Sequence, residues 1–216
     1  MIAAALEASS YEPTIALRLG AETFEESLTS ERAHASDLLP GFERLLERHA
    51  VRASDVERFV VGTGPGSFTG LRVAIALVLG LSRSTGAELA CVPSTEAIAW
   101  THLESGQQGA WVLDARGGEV YFARYARSAD SIEVVETPRV AHPDELAGLI
   151  DDDVRVFCDE ATERLPFVEG RENRVVGALP RADAVLHLGC ERAPLPQGAV
   201  PEPLYLRPFA ARVRKR

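Results

Sequence analysis

The stretch at residues 62–82, GTGPGSFTGLRVAIALVLGLS, decides how this chain is read. Glycines and a proline precede an almost wholly apolar run, the outline of a phosphate loop feeding a helix. A P-loop, GxxxxGK[ST], sets a lysine on the β- and γ-phosphates and a hydroxyl on magnesium. Here no lysine follows, and the next basic residue is Arg72. A dinucleotide loop needs GxGxxG after a strand, with an acid about 20 residues on. Gly64, Gly66 and Gly70 miss that spacing by one residue. Two readings stay open. The N–H groups of a helix N-terminus are suited to an anion. Alternatively, the glycines allow a sharp strand-to-helix turn and a close backbone approach. The helix, capped by Ser67 or Thr69, is then buried by its own sheet on one side and by something else on another.

Working outward, RFVVGTG (58–64) reads as the strand before the loop, ELACVP (88–93) as the strand after the helix, and STEAIAWTHL (94–103) as a further helix capped by Ser94. Upstream, residues 1–7 read as a buried strand, TIALRLG (14–20) as a second, and TFEESLTS (23–30) as a third, antiparallel one. A helix at about 37–50 follows, capped by Ser36 or Asp37, with Pro40 tolerated in its first turn. Its apolar Leu38, Leu39, Phe42, Leu45 and Leu46 recur at helical spacing between charged residues. Three antiparallel strands followed by alternation is the order of a ribonuclease H-like lobe of actin-like (ASKHA) proteins. AWVLDARGGEVYFARYAR (110–127) repeats the form of the N-terminal hairpin, and Asp114 falls where Glu7 falls, at the end of a first strand. The expected fold is therefore α/β, two-lobed and actin-like. An N-terminal lobe spans residues 1–107 and a smaller, reduced lobe spans residues 108–216. In the latter, 132–138 and 155–160 read as strands, and 143–150 and 182–193 as helices.

Composition sets bounds. The chain has 216 residues, 46% of them hydrophobic and 25% charged, enough for a real core. A net charge of −9 argues against independent nucleic-acid binding, which depends on Lys and Arg. The basic end, Arg212, Arg214, Lys215 and Arg216, is expected to be a solvated tail. No apolar run approaches the roughly 20 residues of a membrane span. MIAAALEAS lacks a basic leader region and reads as a strand, so a cytoplasmic protein is expected. Cys91, Cys158 and Cys190 fit reduced thiols.

The GPGSFTGLR segment with RFVV before it and VPSTEAIA after it resembles the TsaB (YeaZ) family. HASDLLP, DARGGEVYFARY and PEPLYLR resemble further parts of that family, in the same order. The resemblance implies a non-catalytic partner of TsaD in making N6-threonylcarbamoyladenosine at position 37 of tRNA. It implies pairing with TsaD through first-lobe helices, a complex joined by TsaE, tRNA met only through the complex, and a homodimer when alone. No cofactor of its own is expected; ATP and magnesium belong to the partners. TsaD carries two histidines one helical turn apart as metal ligands, where this chain has Ser94 and Ile98, which cannot replace two imidazoles. Glu7 and Asp114 stand where actin-like ATPases organise magnesium and water; they are weak nucleotide-site candidates, equally suited to closing turns. Candidate partner contacts are Leu38, Leu39, Phe42 and Leu45 on one helix, and Ser67, Phe68, Thr69, Leu71, Arg72, Val73 and Ala76 on the other. The rival readings are an independent actin-like ATPase or kinase, and a metalloprotease-like protein.

Overall fold

The computed structural model describes residues 1–28, 37–146 and 148–207. The proposed cap Ser36, most of HASDLLP's lead-in and the basic tail 212–216 lie outside them. The first sheet holds β1 (Ile2–Glu7), β2 (Thr14–Leu19), β3 (Glu22–Ser27), β4 (Arg58–Gly62) and β5 (Glu88–Val92), in the order β3-β2-β1-β4-β5. β1 pairs antiparallel with β2 and parallel with β4, which pairs parallel with β5. The second holds β6 (Gln108–Arg116), β7 (Glu119–Arg127), β8 (Ile132–Ala141), β9 (Arg155–Cys158) and β10 (Arg174–Val176), in the order β10-β9-β6-β7-β8. Read from β8, this is the first sheet's order repeated, with the same strand senses. The hairpin echo in the sequence thus extends to whole sheets, and the architecture is the two-lobed actin-like α/β fold. The second lobe has all five strands; its reduction lies in the helical cover, where α4 is only Pro143–Leu146.

Strand alternation builds the layers. On one face of the first sheet, Leu6, Ile15, Leu17, Phe59 and Val61 meet α1 (Leu38–Arg48) and α2 (Phe68–Thr85) through Leu38, Phe42, Leu45, Ala74, Ile75 and Val78. The other face is made of small residues, Ala3, Ala5, Ala16, Val60 and Ala90. Against it lies α5 (Ala182–Cys190), contributed from the far end of the chain. Gly189 makes the approach possible, since a Cβ there would stand 2.1 Å from a Val60 methyl. Conversely, α3 (Ser94–His102) of the first half lays Ile98 and Ala99 on Trp111, Ala123, Tyr125 and Phe157 of the second sheet.

The two exchanged helices are also tied at their ends by the sheets they cover. Arg58 of β4 donates to the carbonyls of Gly189, Cys190 and Arg192 at the end of α5. Arg127 and Arg155 donate to those of Trp100 and His102, each at 2.7 Å, at the end of α3. A guanidinium is the natural partner for the orphan carbonyls and negative dipole end of a helix. A boundary at residue 107 therefore divides the chain's sequence but not its cores.

By length and composition α2 is long and apolar enough to cross a membrane, contrary to the reading of the sequence. Its inner face is instead the cover of the first sheet.

Candidate functional site

The glycine loop packs against its own chain. A Cβ on Gly66 would sit 2.2 Å from the carbonyl oxygen of Ser9, and one on Gly70 would sit 2.1 Å from that of Ala8. Only hydrogen fits at either place, so the loop and the first turn of α2 ride on the backbone that leaves β1. Gly64, at φ +90°, supplies the turn itself. Three of the N–H groups that an anion could use are taken. Gly64 donates to Ser94 Oγ at 2.9 Å, Ser67 to the Ser9 carbonyl at 2.6 Å, and Gly70 to Ser67 Oγ at 3.2 Å. Of the two caps weighed for α2, Ser67 serves and the exposed Thr69 does not.

Glu7 lies directly beneath this loop and is wholly buried. Its carboxylate accepts from the Ser9 N–H at 2.6 Å and from Ser94 Oγ at 2.7 Å. Burial pushes its pKa above the ordinary 4.5, partly opposed by the hydrogen bonds from Ser9 and Ser94. Ser94 is thus not the cap of α3: Pro93 occupies that position, and the Ser94 hydroxyl joins Glu7 to the glycine loop. Asp114 repeats the local turn closure, accepting from the Arg116 N–H at 2.8 Å, but its side chain is exposed. The equivalent carboxylates therefore have different fates, one sealed and one open.

Asp114 opens onto a cleft of about 560 Å³ between the lobes. Its walls carry Tyr11 and Phe68 from the first lobe and Trp111 and Tyr121 from the second. Residues 204–207, missed as a structural element in the sequence, close one side. Leu204 N–H donates to the Thr63 carbonyl at 2.8 Å, the Tyr205 ring stacks on Phe68 at 5.2 Å, and Arg207 pairs with Glu119 of the second lobe. Arg72 holds the stack, its guanidinium 3.7 Å from the Phe68 centroid and its Nε donating to the Tyr205 hydroxyl at 2.9 Å.

The candidate partner contacts separate into two groups. Leu38, Phe42, Leu45 and Leu71 are core residues and present nothing to a partner. The sheet takes most of α1's apolar stripe, with Phe42 edge-on to Phe59 at 6.1 Å, and leaves only Leu39 of it exposed. Leu39, Ser67, Thr69, Arg72 and Ala76 are exposed, and Phe68 and Val73 are half-buried. Ala76 lies on the outward face of α2 with the exposed Arg72 and Gly80, and Val73 flanks it, partly packed on the core.

A family model described as TsaD, tRNA N6-adenosine threonylcarbamoyltransferase, matches residues 26–161, more than half of the chain. The Escherichia coli tRNA threonylcarbamoyladenosine biosynthesis protein TsaB is 34% identical over 127 residues, 51% of this chain and 52% of that protein. Its Haemophilus influenzae counterpart is 30% identical, over 57% and 53%. The chain thus spans about half the length of the curated relatives it matches. A Pseudomonas aeruginosa crystal structure, of an uncharacterized protein with similarity to peptidase YeaZ, superposes with a TM-score of 0.80 at 26% identity, covering 95% of this chain and 99% of that one. YeaZ from the same organism gives 0.75 at 26% identity, over 88% and 90%. The chain belongs to the family that the TsaD model describes and, by these likenesses, to its TsaB (YeaZ) members.

Proposed function

We propose that this protein takes part in tRNA N6-threonylcarbamoyladenosine synthesis as a non-catalytic, cytoplasmic subunit that binds and activates a TsaD-type transferase. The observation that carries this reading is the buried contact between Glu7 and Ser94. The carboxylate at the strand end and the hydroxyl at the first of the two histidine positions satisfy each other at 2.7 Å, under a glycine loop that donates the Gly64 N–H to the same hydroxyl. A carboxylate sealed from solvent cannot organise magnesium and water. ATP and magnesium then belong to partner subunits, TsaD and TsaE, and tRNA is met through the complex.

The partner surface in this reading is the outward face of α2, around Val73, Ala76 and Gly80, where small side chains let another helix come close. A stable interface buries about 1,600 Å² in total. Without TsaD the same face pairs with a second copy, so the two assemblies compete.

Ala76→Glu tests this directly. Position 76 is exposed in the monomer, so the melting temperature is expected to be unchanged. Co-purification with a TsaD-type partner and self-association are both expected to fall, because the interface would bury an unpaired carboxylate. Normal partner binding by folded variants at 73, 76 and 80 would refute the assignment of this face. ATP hydrolysis by the isolated chain that disappears in Asp114→Ala would refute the non-catalytic reading and favour an independent ATPase, since Asp114 is the open one of the two carboxylates.

A further inference from the structure

We propose that the cleft between the lobes binds a small organic cation with an aromatic or apolar body, not a phosphorylated ligand. About 560 Å³ is the size of a small-molecule site. Its character follows from the lining. Tyr11, Phe68, Trp111, Tyr121 and Tyr205 give it an aromatic lining, of which Phe68 already bears Arg72 and Tyr205. Asp114 and Asp159 bring two carboxylates to its second-lobe wall. Asp159 is engaged, Oδ1 with the Thr162 N–H at 2.8 Å and Oδ2 with the Asp114 N–H at 3.0 Å. Asp114 uses Oδ1 on Arg116 and keeps Oδ2 for a ligand. Among the described residues the cation in the cleft lining is Arg207, which Glu119 already pairs with, while Arg72 lies behind the Phe68 and Tyr205 wall, so two carboxylates face one unpaired cation. The field inside is therefore negative. It repels phosphate and favours an ammonium or guanidinium, which the ring faces also attract.

Tyr205 forms one wall and is tethered by Arg72 on α2, so the site is completed by the C-terminal segment.

The test is isothermal titration of the full-length protein with tyramine, with 3-(4-hydroxyphenyl)propionate, and with MgADP. The first two share a phenol body and carry opposite charges. Tyramine is expected to bind with a Kd of about 1 mM or tighter, a modest efficiency for so small a ligand. The propionate is expected to bind at least about tenfold more weakly, and MgADP more weakly than tyramine. Asp114→Asn keeps an acceptor for the Arg116 N–H and is expected to weaken tyramine about tenfold, the loss of one charge-assisted hydrogen bond. Absence of tyramine binding at about 10 mM, equal or tighter binding of the propionate or MgADP, or tyramine binding indifferent to Asp114→Asn would each overturn the proposal.

Discussion

Gly70→Ala should destabilise this protein although it adds a better helix former to a helix. Gly70 lies in the first turn of α2, and the added methyl would meet the carbonyl oxygen of Ala8 at 2.1 Å. A carbon and a carbonyl oxygen rest about 3.3 Å apart, so the helix and the β1 exit must separate by more than an ångström. Neither is a flexible side chain, and the displacement is felt by the glycine loop, Ser67 and Ser9. Overpacking of this kind costs about 3 kcal/mol. Relief of glycine's backbone entropy returns about 0.5–1 kcal/mol. The net loss of about 2–2.5 kcal/mol lowers the melting temperature by about 4–10 °C in a chain of this size. Gly80→Ala is the control: same helix, same substitution, exposed, and with nothing within 4 Å of the new methyl. It should raise the melting temperature by about 1–4 °C. Calorimetric or circular-dichroism melts of the two variants beside the parent decide the matter. If Gly70→Ala is neutral or stabilising, the loop glycines are not there for close approach, and an anion site at the start of α2 must be reconsidered.

Glu7→Gln should change how stability depends on pH. Because burial raises the folded-state pKa of Glu7, its contribution is present in full below about 4.5 and is lost as pH rises through the folded value. Urea midpoints from pH 4 to 8 should show the Gln variant gaining on the parent as pH increases, and a constant difference would contradict a Glu7 pKa raised by burial. Arg72→Ala should cost only about 0.5–1 kcal/mol, the worth of an exposed cation–π contact. It should also speed proteolytic cleavage near Tyr205, by mass spectrometry of timed digests; an unchanged rate would mean that Leu204 and Arg207 hold the segment unaided.

Much of the fold was legible where the signal is local. Alternation in TIALRL and YFARYAR, and the Gly117–Gly118 turn, marked their strands because side chains that alternate between two faces write a period of two into the sequence. The echo between the two hairpins was legible for the same reason. β10 was missed, since three residues carry no period. Ser94 was misread because a serine after a strand is the usual sign of a cap, and its use by Glu7 depends on a residue 87 positions away. The apolar stripe of α1 was read as surplus: periodicity shows which side of a helix is apolar, not how much of it a sheet will cover. Of the candidate site, Asp114 was found by its place after a strand. The rest of the cleft was invisible, since its walls come from six separated segments and its side from a proline-rich stretch without pattern.

The exchange of α3 and α5 between the sheets also sets an order of events during synthesis. When residue 107 has been translated, the first sheet can have α1 and α2 in place, but the face made by Ala3, Ala5 and Val60 stays bare until residues 182–190 emerge. The second sheet, by contrast, finds α3 already made when its first strand appears. The lobe begun first is finished last. A nascent chain stalled between the two lobes would expose a small-residue apolar face of the kind chaperones retain, and the finished protein should unfold in one transition, because neither lobe owns a complete core.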